Sequence, residues 1–286
     1  MTTDPLSLLW LFIILASLQP AVARQVLLIQ RRRALNEISK ERGATVITLI
    51  HRQETMSLLG FPLVRFIDID DAESVLRAIR ETPSGRPIEI ILHTPGGMVI
   101  AARQIASALA DHDAQVTAVV PHYAMSGGTL IALACDEIVV DSHASLGPVD
   151  PQINQQPAAS YVEVARMPGD HDDQTLLMAD VSRKAIAQVE GFTARLLTEK
   201  LGAQGAAEVA RLLASGTWTH DHPLQAPELK TLGLPVRVGV GGGERELMTL
   251  YPQPRGRTPA VEYVPGPGDG TPGLPPGRRP SSSSKG

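Results

Sequence analysis

The sequence predicts an α/β domain built on a parallel β-sheet. Three short runs, 45–51, 87–93 and 115–120, are rich in β-branched residues and show little polar alternation, which is typical of strands covered on both faces. Segments with helical periodicity separate these runs, so consecutive elements form βαβ units with right-handed crossovers. The length of 286 residues, 43% of them hydrophobic, is sufficient for one such domain with additional segments at its ends.

Helical patterns lie between and after the predicted strands. Val75, Leu76 and Ile79 share one face of a helix predicted over 72–82, behind the cap residue Asp71. Further helices are predicted over 98–110, from about 127, over 176–201 and over 206–214, with a fourth strand over 137–141. Together these elements place the folded domain at residues 44–240.

The composition argues against several classes of function. A net charge of -4, a pI of about 6.1 and an aromatic content of 3% provide neither a basic face nor a stacking platform for nucleic acid. Cys135 is a single cysteine, which precludes an intrachain disulfide, and no Cys/His cluster has the spacing of a zinc site. No GxGxxG turn is followed by an acidic residue for a ribose. We therefore expect no nucleic acid, no metal and no cofactor.

Residues 1–23 are predicted to form a transmembrane anchor. The run 6–23 contains no charged residue and is long enough to cross most of a bilayer core as a helix. Its last residues, Ala21-Val22-Ala23, also fit a signal-peptidase site, but the preceding MTTDP lacks the positive charges of a secretory signal. The anchor is therefore preferred over a cleaved signal peptide.

The segment 24–43 is predicted to be a basic juxtamembrane linker. Its basic residues outnumber Glu37 and Glu41, the acidic ones. An excess of Lys and Arg beside a membrane span marks its cytoplasmic side. We therefore expect a single-pass protein of the plasma or inner membrane whose α/β domain lies in the cytoplasm.

The chain beyond the domain is predicted to form two further segments. Residues 241–264 are interrupted by prolines but retain Tyr251 and Tyr263, so we expect an ordered strap on the domain surface. Residues 265–286 consist largely of Pro, Gly and Ser, which predicts a disordered tail.

Two glycine turns each follow a predicted strand and precede a helix. In the first, HTPGG at 93–97, backbone N–H groups lie at a helix N-terminus, where they can hold an oxyanion. In the second, MSGGT at 125–129, a serine hydroxyl is exposed and two glycines leave room for a substrate backbone. Ser126 is also well placed to be a helix N-cap. Because ligands gather at the carboxyl ends of strands in open α/β sheets, the pair of turns favours a catalytic serine beside an oxyanion site.

A serine nucleophile needs a general base, and the sequence offers several candidates. They are His93, His122, His143, Lys184 and, with less support, His171. His93 and His122 are equally compatible with lining a substrate cleft beside Gly96 and Gly128. Lys184 has apolar neighbours on its predicted helix, and packing there would desolvate its ammonium and favour the neutral amine, which can act as a base. The alternative for Lys184 is an ordinary surface lysine.

Several segments resemble the serine dehydrogenase proteinase family. The resemblance is carried by HTPGGMVIAARQIA (93–106), PHYAMSGGTLIALACDEIVVD (121–141) and SLGPVDPQ (145–152), and it extends to ITLIHRQETMSLLG (47–60), DDQTLLMADVSRKAI (172–186), SGTWTHDHPL (215–224) and LYPQPRGRTPAVEY (250–263). Members of this family are membrane-associated and belong to the clan of signal peptide peptidase A and the Clp proteolytic subunit. The resemblance implies a ClpP/crotonase-like fold of repeated ββα/βαβ units and a membrane-anchored endopeptidase that acts on polypeptides as a homo-oligomer.

The resemblance also implies roles for individual residues. Ser126 corresponds to the nucleophile, and the backbone N–H groups of Gly97 and Gly127 correspond to the oxyanion hole. In the Clp subunit a histidine about 25 residues after the serine is the base, but the corresponding place here falls near Gly147 or Val149, neither of which is a histidine. Signal peptide peptidase A uses a later lysine instead, so this likeness favours a Ser126–Lys184 dyad.

Other functions remain open at this point. A crotonase-like acyl-CoA enzyme would share the two oxyanion turns but would not need a serine at position 126, and it would need carboxylates near the turns. A non-catalytic membrane scaffold of the same fold would bind peptides or partner proteins without an activated hydroxyl. Within the protease hypothesis, His122 or His143 could serve as the base, with Lys184 structural.

Overall fold

Helices and strands alternate along most of the chain. The computed structural model describes residues 5–52 and 65–251, and for residues 5–18 and Pro20 it describes the backbone alone. The helices in this part are α1 (Pro5–Arg42), α2 (Ile69–Glu81), α3 (Val99–Ala110), α4 (Gly127–Ala134), α5 (Ala158–Val164), α6 (Asp173–Ala214), α7 (Ala226–Thr231) and α8 (Gly242–Thr249). The strands are β1 (Thr45–Ile50), β2 (Ile88–His93), β3 (Val116–Val120), β4 (Tyr123–Ala124), β5 (Glu137–Val140), β6 (Ser145–Leu146), β7 (Gln152–Ile153), β8 (Gln156–Pro157), β9 (Leu224–Gln225) and β10 (Val236–Val238).

The main sheet has the strand order β1-β2-β3-β5-β10, and each neighbouring pair in it is parallel. All six residues of β2 are buried because both faces of the sheet are covered. Ile90 and Leu92 pack in one core with α2, α3 and α4, whereas Ile91 packs with Ile38 of α1 and Leu247 of α8 on the other face. The predicted α/β class with a parallel sheet is therefore confirmed, and it is consistent with a ClpP-like fold.

A small second sheet of the order β4-β6-β9 stands beside the carboxyl ends of the main strands. In it β4 pairs with β6 in parallel, through Ala124 and Leu146, and β9 pairs with β6 in antiparallel, through Leu224. Strands of two residues carry no detectable alternation, so the sequence did not predict this sheet. It matters because the segments that leave its strands carry the polar residues of the site.

Two predicted helix boundaries differ in the structure. The N-cap of α2 is Asp68 and not Asp71: the Asp68 carboxylate accepts a hydrogen bond from the Asp71 N–H at 3.0 Å, and the Asp71 carboxylate accepts one from the Asp68 N–H at 3.1 Å. This reciprocal pair is a capping box. The helices predicted over 176–201 and 206–214 are the two parts of α6, which is kinked where Gly202 adopts φ 70° and ψ 166°.

The segment 24–43, predicted as a linker, is the second half of helix α1, and its end docks on the domain. Ile38 is buried, and Arg31 Nε donates a hydrogen bond to the Leu250 carbonyl at 2.8 Å. Among the helices that the structure describes, none is long and apolar enough to cross a membrane. The anchor predicted at 1–23 falls largely on residues whose side chains are outside the description, and it stays a prediction.

The segment 241–264, predicted as a strap, begins with a helix. Helix α8 covers one face of the main sheet through Leu247. The described residues all belong to one compact unit that spans 1–253. The remainder of the predicted strap and the tail at 265–286 lie outside the described residues.

A buried carboxylate lies under the end of α1, at the amino end of β2. Glu89 is 6% exposed, and its Oε2 atom stands 3.6 Å from Arg42 Nε, while Arg42 Nη2 binds Glu244 at 2.7 Å. No described residue hydrogen-bonds Glu89 Oε1. Burial, and next the neighbouring Glu244 carboxylate, raise the pKa of Glu89 to about 7.

We expect Glu89→Gln to stabilise the protein above pH 7 and to flatten the pH dependence of its stability. The folded wild type holds the Glu89 proton more tightly than the unfolded chain does. Its free energy of unfolding therefore falls as the pH rises from about 4.3, the ordinary glutamate pKa, to about 7. The full difference is on the order of 3 to 4 kcal/mol.

Urea unfolding at pH 5 and pH 8 measures this effect. Glu73→Gln, on the exposed side of α2, is the matched control and should follow the wild-type pH dependence. A Glu89→Gln variant no more stable than wild type at pH 8 contradicts the prediction.

Candidate active site

Ser126 lies on a strained turn between β4 and α4. Its backbone has φ 52° and ψ -115°, and a positive φ at a residue other than glycine costs about 1 to 3 kcal/mol and is concentrated at functional sites. The side chain occupies the N-cap position of α4 but makes no capping hydrogen bond. The N-cap interpretation therefore does not explain this serine. A strained strand-to-helix turn that exposes a hydroxyl is how serine nucleophiles are held in other α/β hydrolases.

The first glycine turn packs directly against this serine. A Cβ atom added to Gly96 would stand 2.7 Å from Ser126 Cβ and 2.9 Å from the Met125 carbonyl oxygen, closer than carbon atoms approach in proteins. A Cβ added to Gly97 would collide with the backbone N and O atoms of Ile67. Glycine is required at both positions because backbone passes on either side of the turn.

The N–H groups of Gly97 and Gly127 lie together at this contact. A Cβ on Gly127 would be 3.6 Å from Gly97 N, and a Cβ on Gly96 would be 3.2 Å from Gly127 N. Within the described residues neither of these N–H groups donates a hydrogen bond, whereas those of Gly96, Met98 and Gly128 all do. Two unpaired N–H groups beside a serine form the arrangement that stabilises the oxyanion of a tetrahedral intermediate.

A buried carboxylate and a histidine form a second part of the site. Asp150 is 2% exposed, and its Oδ1 atom lies 2.8 Å from Nδ1 of His220. The second carboxylate oxygen accepts a hydrogen bond from Gln152 Nε2 at 2.7 Å. With Nδ1 donating to the carboxylate, His220 Nε2 carries the lone pair and can accept a proton. The side chain of His220 is 31% exposed, so this nitrogen can be reached.

The topology of the small sheet brings this pair to the edge where Ser126 lies. Ser126 follows β4, Asp150 follows β6, and His220 precedes β9. Because β4 and β6 are parallel and β9 is antiparallel to β6, the ends of the first two and the start of the third meet at one edge.

Thr129 holds the two loops at this edge together. Its hydroxyl donates to the Ala124 carbonyl at 2.8 Å and accepts from the Gly147 N–H at 3.1 Å. The Met125 side chain covers Gly147, where an added Cβ would collide with it. The loop that carries Asp150 is therefore fixed to the turn that carries Ser126.

The structure places Lys184 on the surface of α6. Its side chain is 69% exposed, and Nζ pairs with the Asp180 carboxylate at 2.5 Å, one helical turn away. The expected desolvation of Lys184 is therefore wrong for the single chain. Its role as the general base stays a hypothesis.

The other histidines predicted as bases or cleft residues occupy varied places. His93 is 1% exposed, and neither ring nitrogen has a partner among the described residues. Burial, followed by the neighbouring His122 and Arg52, lowers the pKa of His93 to about 4, so it is neutral. His122 is exposed and meets the His93 ring edge-on at 5.5 Å. His143 is exposed and His171 is half-buried, and His171 Nε2 lies 2.8 Å from the carbonyl oxygen of Met167.

A comparison with known protein families identifies the family to which the chain belongs. The model of a family described as ClpP-like SDH-type serine proteinase matches residues 1–272. The chain belongs to this family. The resemblance found from the glycine turns is therefore confirmed.

Two proteins from Methanocaldococcus jannaschii are similar to this chain. Uncharacterized protein MJ1495 is 50% identical over 259 residues, which cover 90% of this chain and 89% of that protein. Uncharacterized protein MJ0137 is 47% identical over 272 residues, which cover 92% of this chain and 95% of that protein. The similarity thus extends across nearly the whole length of each protein.

Sequence reasoning missed Asp150 and His220 in this SDH-type proteinase. Neither residue is among the candidate site residues that the sequence predicts. The two residues are 70 positions apart, and no local spacing rule joins them. The available signal was that SLGPVDPQ and SGTWTHDHPL, the segments that contain them, both belong to the resemblance.

Ser126→Gly is expected to be more stable than Ser126→Ala by about 1 kcal/mol, because glycine adopts a positive φ without the steric penalty of a Cβ atom. Both variants lack the hydroxyl, so the comparison isolates the backbone. Urea unfolding measures the difference. At Ser107, inside helix α3, the same two substitutions should show the opposite order. Equal stability of the two Ser126 variants would show that the turn stores no strain.

Proposed function

We propose that this SDH-type proteinase is a serine endopeptidase in which Ser126 is the nucleophile and His220, oriented by Asp150, is the general base. The observation that carries the proposal is the 2.8 Å contact between His220 Nδ1 and the buried Asp150 carboxylate at the sheet edge where Ser126 lies. A nucleophile, a base, and a carboxylate that orients the base are the three parts that acyl transfer by serine requires.

The proposed reaction begins when an extended substrate lies along the glycine turns. Ser126 Oγ attacks the scissile carbonyl carbon while its proton passes to His220 Nε2. The N–H groups of Gly97 and Gly127 stabilise the oxyanion, and each such donor is worth about 2.7 to 4 kcal/mol. His220 then donates the proton to the leaving amine, and water, deprotonated by the same imidazole, hydrolyses the acyl-enzyme. Asp150 keeps Nδ1 protonated throughout.

The Ser126–Lys184 dyad is the competing mechanism within the same function. It rests on the likeness to signal peptide peptidase A, whereas the exposure of Lys184 and its pairing with Asp180 disfavour it. The contact between Asp150 and His220, by contrast, is present in the single chain.

Both mechanisms require Ser126, and substitutions of His220, Asp150 and Lys184 separate them. We expect Ser126→Ala to abolish labelling by a fluorophosphonate probe and peptide hydrolysis, and His220→Gln to lower both by about 100- to 10,000-fold. Asp150→Asn should impair both strongly because the imidazole loses its orienting partner. Lys184→Met should retain wild-type activity.

His222→Gln is the matched control for His220→Gln, since His222 lies two residues away and stacks on Trp218. Activity lost in Lys184→Met but kept in His220→Gln would establish the lysine dyad instead. A folded wild type that neither reacts with the probe nor cleaves peptides would refute the protease and favour the non-catalytic scaffold.

We further propose that the protein is anchored in the plasma or inner membrane by residues 1–23, with its catalytic domain in the cytoplasm. The proposal is supported by the uncharged run 6–23 and by the basic residues that follow it.

Three exposed apolar side chains lie near the glycine turns: Met98, Val99 and Ile100. They suit hydrophobic polypeptide segments as substrates.

The full chain should therefore sediment with membranes and remain there after an alkaline carbonate wash, because a spanning helix is not released by disrupting charges. A chain of residues 24–286 should stay in the soluble fraction. Release of the full chain by carbonate would contradict the anchor.

The likeness to ring-forming proteases of this clan also leads us to propose that the chain forms a homo-oligomer. Leu176, Leu177 and Val181 are exposed on α6, and an apolar stripe of this kind on a helix suits a subunit contact. Sedimentation velocity of the detergent-solubilised full chain measures the number of subunits.

A further inference from the structure

A buried line of hydrogen bonds leads from the start of α2 to the first glycine turn. Asp71 Oδ2 lies 3.0 Å from His51 Nε2, His51 Nδ1 lies 2.9 Å from Thr94 Oγ1, and Thr94 Oγ1 accepts from the Gly96 N–H at 3.2 Å. His51 is 4% exposed and Thr94 is fully buried. The hydrogen bonds thus join four polar groups, and the two in the middle, His51 and Thr94, are shielded from solvent.

The direction of each bond follows from the chemistry of the groups. Burial of Asp71 opposes its ionisation, but hydrogen bonds from His51 and from the Asp68 N–H hold the pKa of Asp71 below its ordinary value. The carboxylate therefore accepts the proton of His51 Nε2. His51 Nδ1 then carries a lone pair and accepts the hydroxyl proton of Thr94, which leaves the Thr94 oxygen free to accept from Gly96.

The receiving end of this line is the Gly96 N–H, which lies in the peptide unit directly before the Gly96–Gly97 peptide that carries the proposed oxyanion donor. The Gly96 carbonyl accepts a hydrogen bond from the Ile67 N–H at 2.8 Å. In a trans peptide the following N–H points away from the carbonyl, so this bond directs the Gly97 N–H to the opposite side, where Gly127 N lies. Because Gly96 and Gly97 have no side chains that restrict the backbone, the hydrogen bonds at the N–H and the carbonyl of Gly96 help to hold this peptide in place.

Thr94 also contacts both glycine turns. Its N–H donates to the Tyr123 carbonyl at 3.2 Å, and its carbonyl accepts from the Met125 N–H at 2.9 Å. Its methyl group fills the space beside Gly128, where an added Cβ would stand 2.5 Å from Thr94 Cγ2. The hydroxyl of Thr94 faces the first turn and its methyl faces the second.

We propose that Asp71, His51 and Thr94 form a positioning relay that holds the Gly96–Gly97 peptide in the orientation in which Gly97 donates to the oxyanion. This inference rests on the proposed function, since an oxyanion donor has meaning only in acyl transfer. The three residues touch neither substrate nor reacting atoms. They act through Gly96 and preorganise the donor before the reaction begins.

Two substitutions of Thr94 separate its hydroxyl from its methyl group. Thr94→Val keeps the volume beside Gly128 but removes the hydroxyl, and it should lower kcat for a peptide substrate by about 10- to 100-fold while KM changes less than about threefold. Affinity for a peptide boronate, whose tetrahedral adduct places an oxygen in the oxyanion hole, should fall by a similar factor. Thr94→Ser keeps the hydroxyl and should retain most of the activity.

Substitutions of Asp71 and of its neighbour Asp70 provide a second comparison, at the end of the relay that lies away from Gly96. Asp71→Asn removes the charge that sets the polarity of the relay and should lower kcat by about tenfold, whereas Asp70→Asn makes the same change at an exposed position of α2 and should match wild type. In the double variant with Thr94→Val, Asp71→Asn should cause no further loss, because both changes break one line.

The outcomes distinguish this relay from the proposed function. An inactive wild type refutes the proposed function itself. With an active wild type, the relay is overturned if Thr94→Val retains full kcat, if Thr94→Ser is as impaired as Thr94→Val, or if the losses appear in KM alone. If far-UV circular dichroism shows that Thr94→Val is unfolded, the Asp71→Asn and Asp70→Asn pair decides, and equal kcat values overturn the relay.

Discussion

The close approach of two backbone turns is the constraint on which the rest of the site depends. Gly96 stands so near Ser126 that no side chain can come between them, and this contact brings the N–H groups of Gly97 and Gly127 together. The strands beneath set the distance, because Thr94 and Ala124 pair as a short continuation of the main sheet. The oxyanion site is thus a property of sheet geometry, and the side chains around it serve mainly to keep that geometry in place.

The two glycine turns and the buried carboxylate of Glu89 lie at opposite ends of the parallel strands. The glycine turns follow the carboxyl ends of β2 and β4, whereas Glu89 lies near the amino end of β2, where it approaches Arg42. Few shared partners connect the two regions, so changes in one are expected to add to changes in the other. A protein arranged in this way can vary the docking of α1 without altering the turn that carries Ser126.

Sequence patterns predicted the main sheet and both glycine turns but not the complete site. The strands β1, β2 and β3 consist mostly of β-branched and other apolar residues. The turns are marked by glycines that backbone contact requires, so strands and turns each leave a local signal. The small sheet leaves none, and with it the meeting of Asp150 and His220 was missed. Lys184 shows the converse error: apolar neighbours on a helix indicate a packed face only when another element covers that face, and sequence alone does not tell which faces are covered.

Helix α1 has a consequence for what the site can reach. It runs without a break from Pro5 to Arg42, and its end is fastened to the domain by Arg42 and Ile38. At about 1.5 Å per residue, the part from Arg24 to Arg42 spans roughly 28 Å. With the preceding residues in a bilayer, α1 would hold the domain at a fixed distance from the membrane, which a flexible linker would not do. A polypeptide emerging from the same membrane would have to extend about eight residues, at roughly 3.3 Å each, before its backbone arrived at the height of the domain.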